Sequence, residues 1–356
     1  TFGASARLTA TPVDGLRRNA SLSRDKRNNK TPSLLYALVS TDLFLATSRT
    51  NQPYSYTTDK LRLSGDYRLS KSLKAALGFD QDNRQRTLQE VGTTREGTVW
   101  ARVSAQPIDK LGLSLKVAHA DRKNGDYNPV AAIDPAENPL LRKYNLAGRE
   151  RDSATLRADY ALAEGYSLGL DGGVSIDKYK QSTLGLTNGR SGNLGLDLSA
   201  AITEQTQAHV FAQAERMRSR QAGSLAFAQA DWWARSADAT DVFGVGVNHS
   251  ALKGKLVLGA DLVVSRSRSD VVVDTGTANP LFPKASTSLE SLRLRATYQL
   301  RDNLALLGSY WYEAYDTQDW RYDGVTASTI PSVLLLGEQA PHYTVNVLGV
   351  ALRYRF

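Results

Sequence analysis

Four histidines are the residues of this chain best suited to acid–base chemistry or metal binding near neutral pH: His119, His209, His249 and His342. They are scattered along the sequence without the short spacing by which metal ligands share one element. Cysteine is absent, which excludes disulfides, thiolate metal sites and the Cys-x-x-Cys-His run that attaches c-type haem. The chain also has no phosphate-binding glycine-rich run, no His-Glu-x-x-His, and no Gly-x-Ser-x-Gly elbow between a strand and a helix. The sequence therefore predicts no metal, no cofactor and no enzyme activity.

Lysine and arginine give the chain a net charge of +8, a balance that is compatible with nucleic-acid binding. They are dispersed along alternating segments and do not form blocks, so no nucleic-acid partner is predicted. Mean hydropathy is -0.36, and the most apolar window, residues 34–46, is interrupted by Ser40, Thr41 and Asp42. A membrane-spanning helix needs roughly 20 apolar residues, which excludes helical spans. A soluble protein and a barrel with spans of about 10 alternating residues both remain open.

An alternation of apolar and polar side chains indicates the elements that position the charged residues. In the last segment, Leu348, Val350 and Leu352 fall on one side of an extended backbone, while Arg353 and Arg355 fall on the other. Such a stripe faces either a soluble core, with the arginines in water, or lipid, with the arginines in a wet lumen. If the chain forms a membrane barrel, the same alternation predicts that seven leucines face lipid: Leu61, Leu63, Leu156, Leu194, Leu196, Leu292 and Leu294.

The sequence predicts about fifteen strands, and the connections between them alternate strictly between short and long. The long connections lie near residues 25–59, where short additional structure is expected, and near 81–97, 121–152, 178–192, 217–241, 265–288 and 313–342. A sandwich would mix connection lengths, whereas short turns at one rim and long loops at the other are typical of outer-membrane barrels. The sequence therefore predicts an all-β fold: a transmembrane antiparallel up-and-down β-barrel, or an arc of a larger one, with residues 1–356 as a single domain. Short turns are expected in the periplasm and long loops outside the bacterial cell.

Strand parity places one set of charged residues on the polar side of the predicted strands, where they would face the lumen and contact a partner. These residues are Arg62, Asp66, Arg68, Lys74, Arg102, Lys116, Arg157, Asp159, Asp197, Arg293, Arg295 and Arg353. Both signs occur, so neighbouring strands can pair charges across the sheet.

Aromatic residues recur on the apolar side next to the short turns. They are Tyr67, Tyr160, Tyr298, Tyr354 and Phe356. Rings at one depth predict an interfacial girdle, in which the ring contacts lipid and the hydroxyl reaches the head groups. Cross-strand packing in a soluble sheet is the alternative interpretation.

Three stretches resemble the MtrB/PioB family of outer-membrane barrels associated with decahaem cytochromes. They are residues 138–151 (NPLLRKYNLAGRER), residues 23–32 (SRDKRNNKTP) with 53–56 (PYSY), and residues 341–349 (PHYTVNVLG). Family members are larger, so the chain is similar to the C-terminal part of such a barrel. Bacterial single-chain barrels have an even number of strands and no free edge, so additional strands outside this part would explain the odd number counted here.

The resemblance implies a porin-like sheath for electron transfer across the outer membrane. In this family a periplasmic multihaem c-type cytochrome inserts into the lumen, with an extracellular cytochrome as a further partner, and outer-membrane lipid surrounds the barrel. The expected role is extracellular electron transfer. A general or anion-preferring diffusion porin is the alternative, because the dispersed basic charge favours anionic solutes. A barrel hydrolase, assembled from distant Ser, His and Asp residues, is a third.

Overall fold

A computed structural model describes residues 1–40, 43–129, 137–277, 282–322 and 342–356, and almost all of them are extended strands. The strands are β1 (Phe2–Val13), β2 (Leu16–Arg27), β3 (Leu35–Ser40), β4 (Leu43–Thr50), β5 (Tyr56–Arg68), β6 (Leu73–Arg86), β7 (Thr93–Ile108), β8 (Leu111–Asn124), β9 (Leu141–Arg142), β10 (Arg149–Ala163), β11 (Tyr166–Tyr179), β12 (Leu184–Thr203), β13 (Thr206–Gly223), β14 (Trp232–Ala251), β15 (Leu256–Asp274), β16 (Ala285–Arg301), β17 (Leu304–Gln318) and β18 (Tyr343–Tyr354). Two short 3₁₀ turns, Leu252–Gly254 and Trp320–Tyr322, are the helical elements of these ranges, and neither has the length or hydropathy of a membrane-spanning helix.

Fifteen strands form one up-and-down antiparallel sheet, in the order β1-β2-β5-β6-β7-β8-β10-β11-β12-β13-β14-β15-β16-β17-β18. This is the predicted all-β architecture. In the described residues β1 pairs only with β2, and β18 pairs only with β17. The sheet is therefore an arc with two edges. The short β9 adds to β12 in parallel, and β3 and β4 form a separate hairpin inside the predicted 25–59 connection.

The cross-strand register gives the whole sheet one apolar face and one polar face. On the apolar face, Leu22 pairs with Leu61, and Leu63 pairs with Phe79. This parity passes without interruption through all fifteen strands to Leu352, which pairs with Leu306. All seven leucines predicted to face lipid lie on this face. The apolar side chains are solvent-exposed, with Leu348 79% exposed and Val350 72% exposed, so only an apolar environment can cover them.

The two ends of the strands carry different connections. Two- to four-residue turns join the strands at one end, for example between β10 and β11 and between β12 and β13. Most connections at the other end are longer, as between β13 and β14, where residues 224–231 intervene. We call these ends the short-turn rim and the long-loop rim.

The strands extend further toward the long-loop rim than the sequence predicted. The predicted connection 81–97 shrinks to residues 87–92, and the predicted connection 178–192 shrinks to residues 180–183. The error has a physical cause: the strand ends there, such as Gln81, Asp82 and Asn83, are polar on both faces and lack the alternation that marks a strand. The predicted connections 121–152, 265–288 and 313–342 include residues 130–136, 278–281 and 323–341. These residues lie outside the described ranges, as do residues 41 and 42.

Candidate functional site

The polar face of the sheet carries all twelve charged residues that strand parity assigned to it. The register shows this directly: Arg62 pairs with Asp80, Arg102 with Lys116, and Arg293 with Trp311. None of the twelve is buried. Their charges are therefore available to water or to a second molecule lying against this face.

Some of these charges are paired between neighbouring strands. Arg62 lies 3.7 Å from Asp80 and 3.0 Å from Asp82, measured between guanidinium nitrogen and carboxylate oxygen. Arg102 reaches Asp66 at 3.3 Å. Exposed pairs of this kind contribute about 0 to 1 kcal/mol each, so they orient side chains more than they stabilise the sheet.

The remaining charges on the same face are either paired elsewhere or have no partner. Arg157 pairs with its own strand neighbour Asp159 at 2.9 Å, and Arg295 pairs with Asp261. Within the described ranges no salt bridge or side-chain hydrogen bond involves Arg68, Lys74, Asp197 or Arg353. These four lie near the short-turn rim, and their charges have no partner in the part of the chain that the structure describes.

Two tryptophans on the polar face hold basic side chains above their rings. Lys116 Nζ and Arg102 Cζ lie 4.8 and 5.7 Å from the ring centroid of Trp100. Arg293 Cζ lies 5.2 Å from that of Trp311. Each cation–π contact at an exposed site contributes about 0.5 to 1 kcal/mol of stabilisation. These contacts hold the three basic side chains in defined positions above the rings. Neither tryptophan was predicted as a lumen residue, although each shares the strand parity of its cations.

Gly78 makes room for the Trp100 ring, and this gives a first prediction. A methyl group at Gly78 would lie 2.1 Å from Cζ2 of Trp100, so Gly78→Ala forces the ring off the sheet. Overpacking typically costs about 1 to 3 kcal/mol, and the cation–π contacts are lost as well. We expect a lower unfolding temperature, measured as the temperature at which the folded protein loses its compact migration in detergent gels.

Gly65 supplies the matched control because its position has nothing within 4 Å of an added methyl group. Gly65→Ala on the neighbouring strand should leave the unfolding temperature close to that of the parent protein. Equal losses in the two variants would show that the Trp100 contact does not stabilise the wall.

Charge on the polar face is segregated along the sheet, a feature that strand parity alone does not predict. Strands β11 to β15, described along their whole length, carry no Lys or Arg on this face. Their ionisable side chains there, apart from His209, are Tyr179, Asp171, Asp177, Asp197, Glu215, Asp238 and Asp261. We call the six carboxylates the acidic stripe. Basic residues dominate β5 to β8 and β16 to β18, so the wall presents one negative and two positive sectors.

The predicted girdle tyrosines share the apolar face at the short-turn rim. Tyr67 pairs with Leu16, Tyr298 with Leu256, and Tyr354 with Leu304. Tyr160 pairs with Leu111 in the same way. Phe356 follows the end of β18 and meets Tyr354 edge-on at 5.0 Å between ring centroids. Tyr166, on the far side of a turn from Tyr160, belongs to the same level and was missed because it follows a turn.

The long-loop rim has a small core of its own, built by the 87–92 and 125–148 connections. Val91, Leu146 and Ala147 are almost completely buried. Glu90 is 2% exposed and accepts a hydrogen bond from Lys143, whose ammonium also lies 2.7 Å from Glu137. Burial alone lowers the pKa of Lys143, but its hydrogen bonds to Glu137 and Glu90 outweigh burial and leave that pKa raised.

The stretch 138–151, which carries the strongest family resemblance, anchors this connection to the wall. Arg122 donates to the carbonyl oxygens of Ala147 and Tyr144. Arg149 reaches Glu96 at 2.9 Å, and Arg151 binds Asp177 through two hydrogen bonds of 2.6 and 2.7 Å. The arginines of this motif therefore have a structural role at the rim.

Two features of the described ranges bear on metal binding and catalysis. No group of three or more His, Asp or Glu side chains there could hold a metal ion. Residues 165–169 read Gly-Tyr-Ser-Leu-Gly, which matches the spacing of a nucleophile elbow. They form a turn and the start of β11, with Ser167 opposite Ala161 and Ser199, so no base adjoins this hydroxyl.

A continuous antiparallel sheet with one exposed apolar face, one charged face and two unlike rims defines a membrane-spanning β-barrel wall of the outer-membrane type. The FrpB iron transporter from Neisseria meningitidis has a similar fold. Its TM-score is 0.51 at 10% sequence identity, over 99% of this chain and 65% of the transporter. This likeness concerns the fold alone.

The chain belongs to the MtrB/PioB family of outer membrane beta-barrel porins, whose sequence profile matches residues 1–356. It is 27% identical over 358 residues to the outer membrane protein MtrB of Shewanella baltica (strain OS185), covering 99% of this chain and 51% of that protein. The chain thus spans about half the length of this relative. These findings confirm the predicted family and bacterial outer-membrane location, and the family is one of barrel porins, not of enzymes.

Proposed function

We propose that the polar face lines a porin-like sheath that houses a multihaem c-type cytochrome, so that electrons cross the outer membrane along its haems. The observation that carries the proposal is the face itself: twelve charges of both signs, none of them buried and several without a partner in the described chain. A protein-filled lumen needs such a wall, because a polar partner is held by dispersed ion pairs and hydrogen bonds.

The width of the wall supports this role. Barrels of 16 to 18 strands leave an aqueous channel, and about 22 strands enclose a folded plug. Here fifteen strands form an open arc, and the chain spans about half the length of its MtrB relative. In the proposal, residues 1–356 are one unit of a wider barrel, and further strands of the full-length protein close it. This sequence has no cysteine, so the partner supplies the haems.

The charge segregation supports a partner seated in one orientation. The acidic stripe of β11 to β15 attracts a basic patch, while Arg68, Lys74 and Arg353 in the basic sectors attract acidic ones. Complementary sectors steer and orient a partner more than they add affinity. The unpaired charges near the short-turn rim are the first that a cytochrome entering from the periplasm would meet.

An anion-preferring diffusion porin is the second candidate. Nine of the twelve predicted lumen residues are basic and three are acidic, a balance that concentrates anions. The acidic stripe counts against it. Asp177 and Asp261 are paired with Arg151 and Arg295, but the other four carboxylates of the stripe form no salt bridge in the described ranges and would repel the same solutes.

Reconstitution distinguishes the two candidates. The full-length protein alone in a planar bilayer should conduct ions through a large pore. Adding the cytochrome that co-purifies with it from outer membranes should close the pore and let electrons reduce a dye on the far side. If the cytochrome leaves the conductance unchanged and no electrons cross, the sheath hypothesis fails and the diffusion-porin hypothesis takes its place.

Charge reversal of the acidic stripe sharpens this test. Asp171→Lys with Asp197→Lys should weaken cytochrome retention, most at low salt, because exposed charges are screened over about 10 Å at 0.1 M. The matched Asp171→Asn and Asp197→Asn pair removes charge without reversing it and should fall between parent and reversal. Equal retention in all three proteins would show that the stripe does not contact the cytochrome.

A further inference from the structure

Seven arginines gather on the apolar face of β12 to β15, at the ends of these strands near the long-loop rim. They are Arg190, Arg216, Arg218, Arg220, Arg235, Arg266 and Arg268. All seven are exposed. We call them the outward arginine cluster, because they lie on the opposite side of the sheet from the acidic stripe.

The cross-strand register places like charges side by side within this cluster. Arg190 pairs with Arg218, and Arg220 pairs with Arg235. Like charges directly opposite each other destabilise a sheet, so this arrangement calls for an anion between them. In the part of the chain that the structure describes, only Arg216 has an acidic partner, Asp241 at 2.7 Å, and the other six guanidinium groups make no hydrogen bond or ion pair.

Four of these arginines surround a shallow depression of about 670 Å³. Arg190, Arg218, Arg220 and Arg235 line it together with Lys178 and two carboxylates, Asp177 and Asp270. Both carboxylates have a basic partner outside the cluster: Asp270 lies 3.6 Å from Lys284, and Asp177 is bound by Arg151. The depression is thus large enough for a phosphorylated head group and presents five cations to it, against two carboxylates that are already paired.

The cluster begins just above the apolar belt on the same strands. Val264 precedes Arg266 by two residues, and Leu194 follows Arg190 by four. At about 3.4 Å per residue, the guanidinium groups stand roughly 7 to 14 Å along the strand from the last apolar side chains. That is the level of lipid head groups in the leaflet at the long-loop rim, which in an outer-membrane barrel faces the cell exterior.

We propose that the outward arginine cluster binds the phosphate groups of lipopolysaccharide, the phosphorylated glycolipid of the outer leaflet. Guanidinium groups bind phosphate oxygens through paired, charge-assisted hydrogen bonds, and several arginines on adjacent strands can hold two phosphates at once. The opposite ends of these strands support the choice of leaflet. There the apolar face carries Ala200, Ala208, Val247 and Leu258, which suit the uncharged interior of a phospholipid leaflet.

The test uses the full-length protein in detergent and fluorescent lipopolysaccharide as the probe. Replacing Arg190, Arg218, Arg220 and Arg235 together by Gln should weaken binding by more than about tenfold, because several charge-assisted bonds are lost. The matched control replaces Arg68, Lys74, Arg293 and Arg353 by Gln, which removes the same charge from the polar face and should leave binding unchanged. Compact migration in detergent gels shows that each variant is folded.

Competition identifies the ligand. Unlabelled lipopolysaccharide should displace the probe, whereas dephosphorylated lipid A, inorganic phosphate and phosphatidylglycerol vesicles should not. Equal binding by the cluster variant and the parent overturns the proposal. Equal competition by dephosphorylated lipid A, inorganic phosphate or phosphatidylglycerol also overturns it. A cluster variant that changes the oligomeric state of the protein and not its binding of lipopolysaccharide overturns it as well.

Discussion

Replacing Leu294 by arginine should prevent most of the protein from assembling into the outer membrane. Leu294 lies on the apolar face of β16, between Ala260 and Tyr310 on the neighbouring strands, and is 39% exposed. A charged side chain at the bilayer midplane on a barrel's lipid face costs about 2 to 4 kcal/mol. We expect a large fall in the fraction of protein that is recovered from outer membranes in the compact, heat-modifiable form.

The adjacent residue provides the control. Arg295 lies on the polar face, and its partner Asp261 is partly exposed there, so Arg295→Leu leaves a carboxylate that water can still solvate. Assembly of this variant should stay within about 1 kcal/mol of the parent. If Leu294→Arg and Arg295→Leu reduce assembly equally, the assignment of the two faces is wrong.

The two faces could be predicted because strand geometry repeats every two residues. Once Leu348, Val350 and Leu352 mark one side of β18, parity alone places Arg353 on the other, and a register slip would turn the whole strand over. The same rule placed Leu61 and Arg62 on opposite faces of β5. Fold class, strand number and face assignment are therefore local properties of this sequence.

Strand ends and charge sectors could not be predicted in this way. Above the apolar belt both faces are polar, so Gln81 and Asp82 carry no periodic signal although they lie within β6. The acidic stripe requires knowledge of which strands are neighbours: Asp171 and Glu215 are 44 residues apart in the sequence and two strands apart in the sheet. The outward arginine cluster escaped notice because each of its strands contributes only one to three arginines.

The rim core depends on still longer separations. Glu90 and Lys143 lie in different connections, 53 residues apart, and neither sits in an alternating segment. Their pairing depends on the positions of β6, β7 and β8, which bring the two loops together. Only the family resemblance of residues 138–151 pointed to this region, and it did not indicate that the motif is structural.

Replacing Lys143 by methionine should open the connection at the long-loop rim while leaving the barrel wall folded. Removing one member of a buried pair costs about 3 to 5 kcal/mol, because the remaining charge is left without compensation. Here Glu90 is 2% exposed, and Glu137 loses the same ammonium. A cost of this size raises the open population of the loop by on the order of 100-fold or more. The measurement is the rate at which a protease cleaves residues 125–148 in folded protein.

The double variant separates the ion pair from the shape of the side chains. Glu90→Gln combined with Lys143→Met removes the buried charge at position 90, so cleavage should slow toward the parent rate, since a neutral amide is far less costly to bury than a carboxylate. The unfolding temperature of the barrel should change little in both variants, because only the two-residue β9 of this connection pairs with the sheet. If single and double variants are cleaved at the same rate, or if the wall unfolds with the loop, Lys143 does not act by neutralising Glu90.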